Sequence, residues 1–86
     1  MMLVVFTKSA TKVLLRMQTA KARDIREAVD RAAATPFAHD NNRKPLVGIP
    51  GGFRQRVGDW RVSFIVDTKA DRLEVFEIAP RGGAYR

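Results

Sequence analysis

The chain has 86 residues, enough for one compact core and no second module. It contains no cysteine, which excludes a disulfide framework and a thiolate metal site, so packing must hold the fold. Sixteen lysines and arginines against nine acidic residues give a formal net charge of +7, which suggests a polyanionic partner.

The opening Met1 to Phe6 is apolar but runs straight into Thr7 and Lys8. It is too short for a signal-peptide core or a membrane span, and reads as a strand, about Met2 to Phe6, of a cytoplasmic protein. Ser9 can cap a first helix in which Val13, Leu14 and Met17 recur at helical spacing. A second helix is expected from about Ala20 to Ala34, with Ile25, Val29, Ala32 and Ala33 on one face and mixed charge elsewhere. Thr35-Pro36 ends it, because a residue before proline is pushed out of the α region.

From Ala38 to Gly52 the polar run His39-Asp40-Asn41-Asn42 and the breakers Pro45, Gly48, Pro50, Gly51 and Gly52 predict a long ordered loop. Three strands follow, Phe53 to Val57, Trp60 to Asp67 and Arg72 to Ala79, with Gly58-Asp59 as a two-residue hairpin turn and a looser connection over Thr68 to Asp71. The expected fold is α+β and a single domain over residues 1–86. It has an N-terminal strand, a helical hairpin, and a three-stranded antiparallel meander completing a small sheet.

The turn fixes a register. Val57 then faces Trp60, Arg56 faces Arg61, Gln55 faces Val62, and Arg54 faces Ser63. Alternation puts Phe53, Val57, Trp60, Val62 and Phe64 under the helices, and Arg54, Arg56, Arg61 and Ser63 on the other face. Continuing it into the last strand places Glu77 near Arg61 and carries the same parity to Arg81. From Arg43 to Val66 the basic residues Arg43, Lys44, Arg54, Arg56 and Arg61 meet one acid, Asp59. Converging arginine forks suit phosphate oxygens, so this face reads as an anion site, the alternative being a solvated surface stapled by Arg61 and Glu77.

Other candidates are weaker. His39, the only histidine, reads as an exposed loop residue without an obvious partner. Asp40, Asp67, Asp71, Glu74 and Glu77 form no recognisable ligand set, so no metal is expected. Trp60 reads as core by parity, although an indole can stack on a base.

The stretch Leu46-Val47-Gly48, followed by Phe53-Arg54-Gln55-Arg56-Val57-Gly58-Asp59-Trp60-Arg61-Val62, resembles the middle of RelE/ParE-family toxins of type II toxin-antitoxin systems. The ending Ile78-Ala79-Pro80-Arg81-Gly82-Gly83-Ala84-Tyr85 is similar to their closing motif, an arginine with a tyrosine four positions later. Two departures from the pattern stand out: Pro80 lies where the family often has histidine, and Arg54 and Arg56 lie where it sometimes has lysines.

The resemblance implies a RelE-like fold and, in the ribonuclease branch, cleavage of messenger RNA in the ribosome by attack of a ribose 2′-hydroxyl on the adjacent phosphate. Such chemistry requires no metal or other cofactor. By resemblance Arg61, Arg81 and Tyr85 are the catalytic set, with Arg54, Arg56, Arg43 and Lys44 holding RNA. The implied partners are ribosome, message and a cognate antitoxin in a hetero-oligomer, with no membrane. The alternative branch is a ParE-like toxin that binds DNA gyrase without cleaving RNA, and a third class is a nucleic-acid-binding module without toxicity. Fold alone does not separate them.

Overall fold

The computed structural model describes residues 2–80. Its elements are β1 (Leu3–Phe6), α1 (Lys8–Arg16), α2 (Thr19–Ala34), β2 (Arg43–Pro45), β3 (Gly52–Val57), β4 (Trp60–Asp67) and β5 (Arg72–Pro80). The strands form one sheet in the order β1-β5-β4-β3-β2, with β1 parallel to β5 and the other neighbours antiparallel. Among the described residues, no helix is long and apolar enough to cross a membrane.

The helices follow from local chemistry with one change. The first is capped by Thr7, whose Oγ1 accepts from the Ala10 N–H at 3.3 Å, and not by Ser9. Because α1 starts at Lys8, directly after the strand, Ser9 lies inside its first turn, where a side chain no longer caps the free N–H groups. Met17 and Gln18 are extended and separate the helices, and α2 closes with the Thr35 N–H donating to the Arg31 carbonyl, ahead of Pro36.

The expected meander is present, but a fifth strand was not foreseen. Arg43–Pro45 lies in the segment expected to be loop and pairs with β3, Arg43 opposite Gln55, Lys44 opposite Arg54 and Pro45 opposite Phe53. Three residues carry too little alternation to announce a strand, and Pro45 suits only an edge. The chain then folds back tightly, Leu46 N–H to Gly52 O and Gly52 N–H to Ile49 O, both at 2.9 Å.

Both helices cover one face of the sheet. Ile25, Val29, Ala32 and Ala33 of α2 and Ala10 and Leu14 of α1 join Val62, Phe64, Val66, Leu73, Val75 and Ile78 in the core. The last of these requires a bulge. Phe64 pairs with Val75 whereas Ser63 pairs with Glu77, so Phe76 is an extra residue and parity reverses across it. Without that reversal Glu77 would point with Leu73 and Val75 into the core; with it, Ile78 goes in and Glu77 stays out.

Gly51 and Gly48 both lie in the left-handed region, at φ +74° and +80°, but only at Gly51 would an added Cβ meet backbone, 2.6 Å from the Val66 carbonyl oxygen. Gly48→Ala is therefore expected to cost about 1 kcal/mol of stability, through backbone conformation alone. Gly51→Ala adds the clash and should cost about 2 kcal/mol or more. Equal melting temperatures for the two variants would show that the contact at Gly51 does not limit stability.

Candidate nucleic-acid interface

Alternation along β3 and β4 sends one set of side chains into the core and the next to the uncovered face. The hairpin register is the one the sequence implied: Val57 with Trp60, Arg56 with Arg61, Gln55 with Val62, Arg54 with Ser63. The turn is led by Gly58 at φ +58°, as a two-residue hairpin with glycine first requires. Pairing with β2 adds Lys44 beside Arg54. Lys44, Arg54, Arg56 and Arg61 thus line one open recess of about 400 Å³, walled by Asn41, Asn42, Pro45 and Leu46. The four wall residues were not singled out from sequence, because only the β2 pairing brings them beside the arginines.

Arg56 and Arg61 stand directly opposite, an arrangement that ordinarily destabilises a sheet. Glu77, expected near Arg61, is not its direct cross-strand partner. The bulge at Phe76 places it opposite Ser63, which is 1% exposed and whose Oγ donates to Glu77 Oε1 at 3.4 Å, while Arg61 faces Ala79. The carboxylate still shares the basic face, two pairs along from the Arg56-Arg61 row.

Arg43 is not brought to the recess. Opposite Gln55, it shares the parity of the core face, and its side chain is only 6% exposed. Its Nε donates to Gln55 Oε1 at 2.8 Å, its Nη1 to the carbonyls of Thr35 and Pro36 at 3.2 and 3.4 Å, and its Nη2 lies 3.8 Å from the Asp40 carboxylate. One guanidinium therefore ties the end of α2, the following loop and the β2-β3 pair together.

Asp40 begins the wall. Its carboxylate accepts the Asn42 N–H at 2.8 Å, which holds its pKa below the ordinary value; Arg43 lowers it further and partial desolvation opposes. Because the folded value is depressed, this contribution to stability is present above the unfolded pKa and is lost as pH falls through the folded one. Asn42 in turn accepts the Arg56 N–H on its carbonyl at 2.8 Å. His39, for which the sequence offered no partner, pairs through Nε2 with Asn41 Oδ1 at 3.0 Å.

Trp60 is half-buried against the core, as its parity implied. Arg81 and Tyr85 lie outside the described residues. The last described strand residue, Pro80, pairs with Trp60, next to Arg61.

The same architecture recurs in solved proteins. The archaeal RelE-RelB complex from Pyrococcus horikoshii contains a chain 25% identical, with a TM-score of 0.78 over 95% of this chain and 97% of that one. A YoeB/ParE toxin from Agrobacterium tumefaciens is also 25% identical, with a TM-score of 0.75 over 93% of this chain and 99% of that one.

 The isolated E. coli RelE toxin is 15% identical with a TM-score of 0.81 over 99% of this chain and 92% of that one, a likeness of fold alone. No protein-family profile matches the chain, and no curated protein does. The chain has the fold of RelE/ParE-superfamily toxins. The Val57-Gly58-Asp59-Trp60-Arg61 block forms the hairpin that carries the basic face.

Arg56 and Arg43 should respond to truncation in opposite ways. Arg56→Thr relieves a like-charge pair and is expected to leave the melting temperature unchanged or raised. Arg43→Ala strips partners from buried polar groups and should cost about 3 kcal/mol. A fall of many degrees in Arg56→Thr would make the Arg56-Arg61 row a structural feature.

Proposed function

We propose that this toxin is a metal-independent endoribonuclease that cleaves messenger RNA in the ribosome and so inhibits translation. The observation that carries the reading is the convergence of Lys44, Arg54, Arg56 and Arg61 on one recess of the uncovered sheet face. Guanidinium forks match phosphate oxygens in pairs, and a strand-borne cluster holds a phosphodiester in a fixed attitude.

In this reading the 2′-hydroxyl attacks the adjacent phosphorus, and the bond to the departing 5′-oxygen breaks. Arg61 and Arg81 neutralise the crowded phosphorane, Arg54, Arg56 and Lys44 hold the backbone, and Tyr85 lies by the 2′-hydroxyl. Arg43, tied into the fold, supports β2 instead of touching RNA. Tyrosine and arginine are poor proton carriers at neutral pH, and Pro80 supplies no histidine. A ribosome that pre-orients the strand supplies alignment. Free RNA should be a poor substrate.

A cognate antitoxin completes the reading. The solved complexes from Pyrococcus horikoshii and E. coli pair RelE with RelB. An acidic or amphipathic segment laid over the arginine face would silence this chain, with opposite charge speeding capture.

The test is cleavage of ribosome-bound message, run beside a gyrase supercoiling assay. Arg81→Ala is expected to lower the cleavage rate about a hundredfold or more. In Tyr85→Phe a large loss points to the hydroxyl, whereas retention there with loss in Tyr85→Ala points to stacking. Parent-like rates for both Arg81→Ala and Tyr85→Ala would remove these residues from the site, and a parent that spares message but blocks gyrase would replace the ribonuclease reading.

A further inference from the structure

Half of the recess lining is not cationic. Asn41, Asn42, Pro45 and Leu46 stand beside the Lys44, Arg54, Arg56 and Arg61 cluster, so amides and apolar surface adjoin a phosphate-binding floor. Backbone charge alone needs only the floor. Amides next to an apolar wall are what recognition of a nucleobase requires, because a base presents fixed donors and acceptors on its edge and a flat apolar face. An acidic peptide would use the cations and leave the amides without a defined task.

The two asparagines are held differently. Asn42 is fixed through its backbone, its N–H on Asp40 Oδ1 and its carbonyl on the Arg56 N–H, both at 2.8 Å. Asn41 is fixed through its side chain, with Oδ1 3.0 Å from His39 Nε2. An amide oxygen only accepts, so Nε2 carries the proton in this pair, and the Asn41 oxygen is engaged. What Asn41 retains is its NH₂ group, which only donates.

We infer that the His39-Asn41 pair makes Asn41 a donor-only reader of the base seated in the recess, favouring keto bases, guanine and uracil, over amino bases, adenine and cytosine. A keto oxygen accepts from the Asn41 amide nitrogen. An exocyclic amino group in the same place sets donor against donor and leaves both without a partner. His39 is then a positioning residue: it touches no base and acts by preventing the amide from turning over. That the ligand is RNA rests on the ribonuclease reading, whereas the base preference rests on the geometry of Asn41.

The experiment measures binding of the full chain to fluorescein-labelled 2′-O-methyl trinucleotides, which lack the attacking hydroxyl and cannot be cleaved. UUU and CCC have rings of the same size and differ at the edge in keto against amino. The parent is expected to bind UUU about tenfold more tightly than CCC. Asn41→Asp turns the reader into an acceptor and should invert the ratio while weakening both ligands, an inversion that simple loss of structure does not produce. His39→Ala frees the Asn41 oxygen, so CCC should gain affinity and UUU keep it. Lys44→Ala should weaken both equally and flatten the salt dependence. A parent without preference, a ratio that Asn41→Asp does not invert, or tighter binding of an octaglutamate peptide than of UUU would each overturn the inference. Cleavage of ribosome-bound message is scored separately: its absence with the UUU preference intact removes the ribonuclease and leaves the base reading standing.

Discussion

The two-residue turn at Gly58-Asp59 is the constraint on which the basic face depends. A strand shows its side chains alternately, so a slip of one residue in this hairpin would carry Arg54 and Arg56 beneath the helices and bring Phe53 and Val57 to solvent. A glycine at φ +58° leading the turn leaves no room for that ambiguity. Core and recess are therefore consequences of one local choice. Val62 and Phe64, fully buried, fix the register from one side of the sheet, and the charge on the other side is carried along by parity.

The same alternation gives neighbouring residues opposite work. Arg43 and Lys44 are adjacent and carry the same charge, yet Arg43 turns inward to Gln55 and the end of α2 while Lys44 lines the recess. Arginine suits the inward place because its planar fork satisfies several acceptors at once, which a lysine ammonium at a single point cannot match. The clamp matters to the recess, since it secures the edge strand that carries Lys44 and the loop that carries Asn41 and Asn42.

Much of this was legible in the sequence. The helices, the meander and the Arg56-Arg61 opposition follow from periodicity and a recognisable turn, signals that are local and strong. What escaped depends on long-range pairing. The strand Arg43–Pro45 is too short and polar to announce itself, and without it Arg43 and Lys44 cannot be assigned to opposite faces. The bulge at Phe76 is also silent: alternation carried across the hairpin keeps Glu77 on the basic face, alternation along the last strand from Leu73 and Val75 would turn it inward, and only the packing of Ile78 shows that an extra residue reconciles the two. The amide wall was missed for the same reason: a polar run before a glycine-rich turn looks like any loop until β2 lays it beside the arginines.

The recess joins two kinds of support. Its floor rises from β3 and β4, held by the hydrogen-bonded ladder and the core beneath, so the cations keep their spacing when a ligand arrives. Its wall comes from the loop before β2, held by the Asp40 turn, the Arg56 N–H and the Arg43 clamp. The floor acts through long-range charge, which attracts any polyanion and weakens with salt. The wall, in the proposed base reading, would act through short contacts that salt does not screen in this way and that differ from base to base. On the proposed reading, attraction and selection fall to different residues on differently anchored elements, and a substitution in one would change how tightly RNA is held without changing which RNA is preferred.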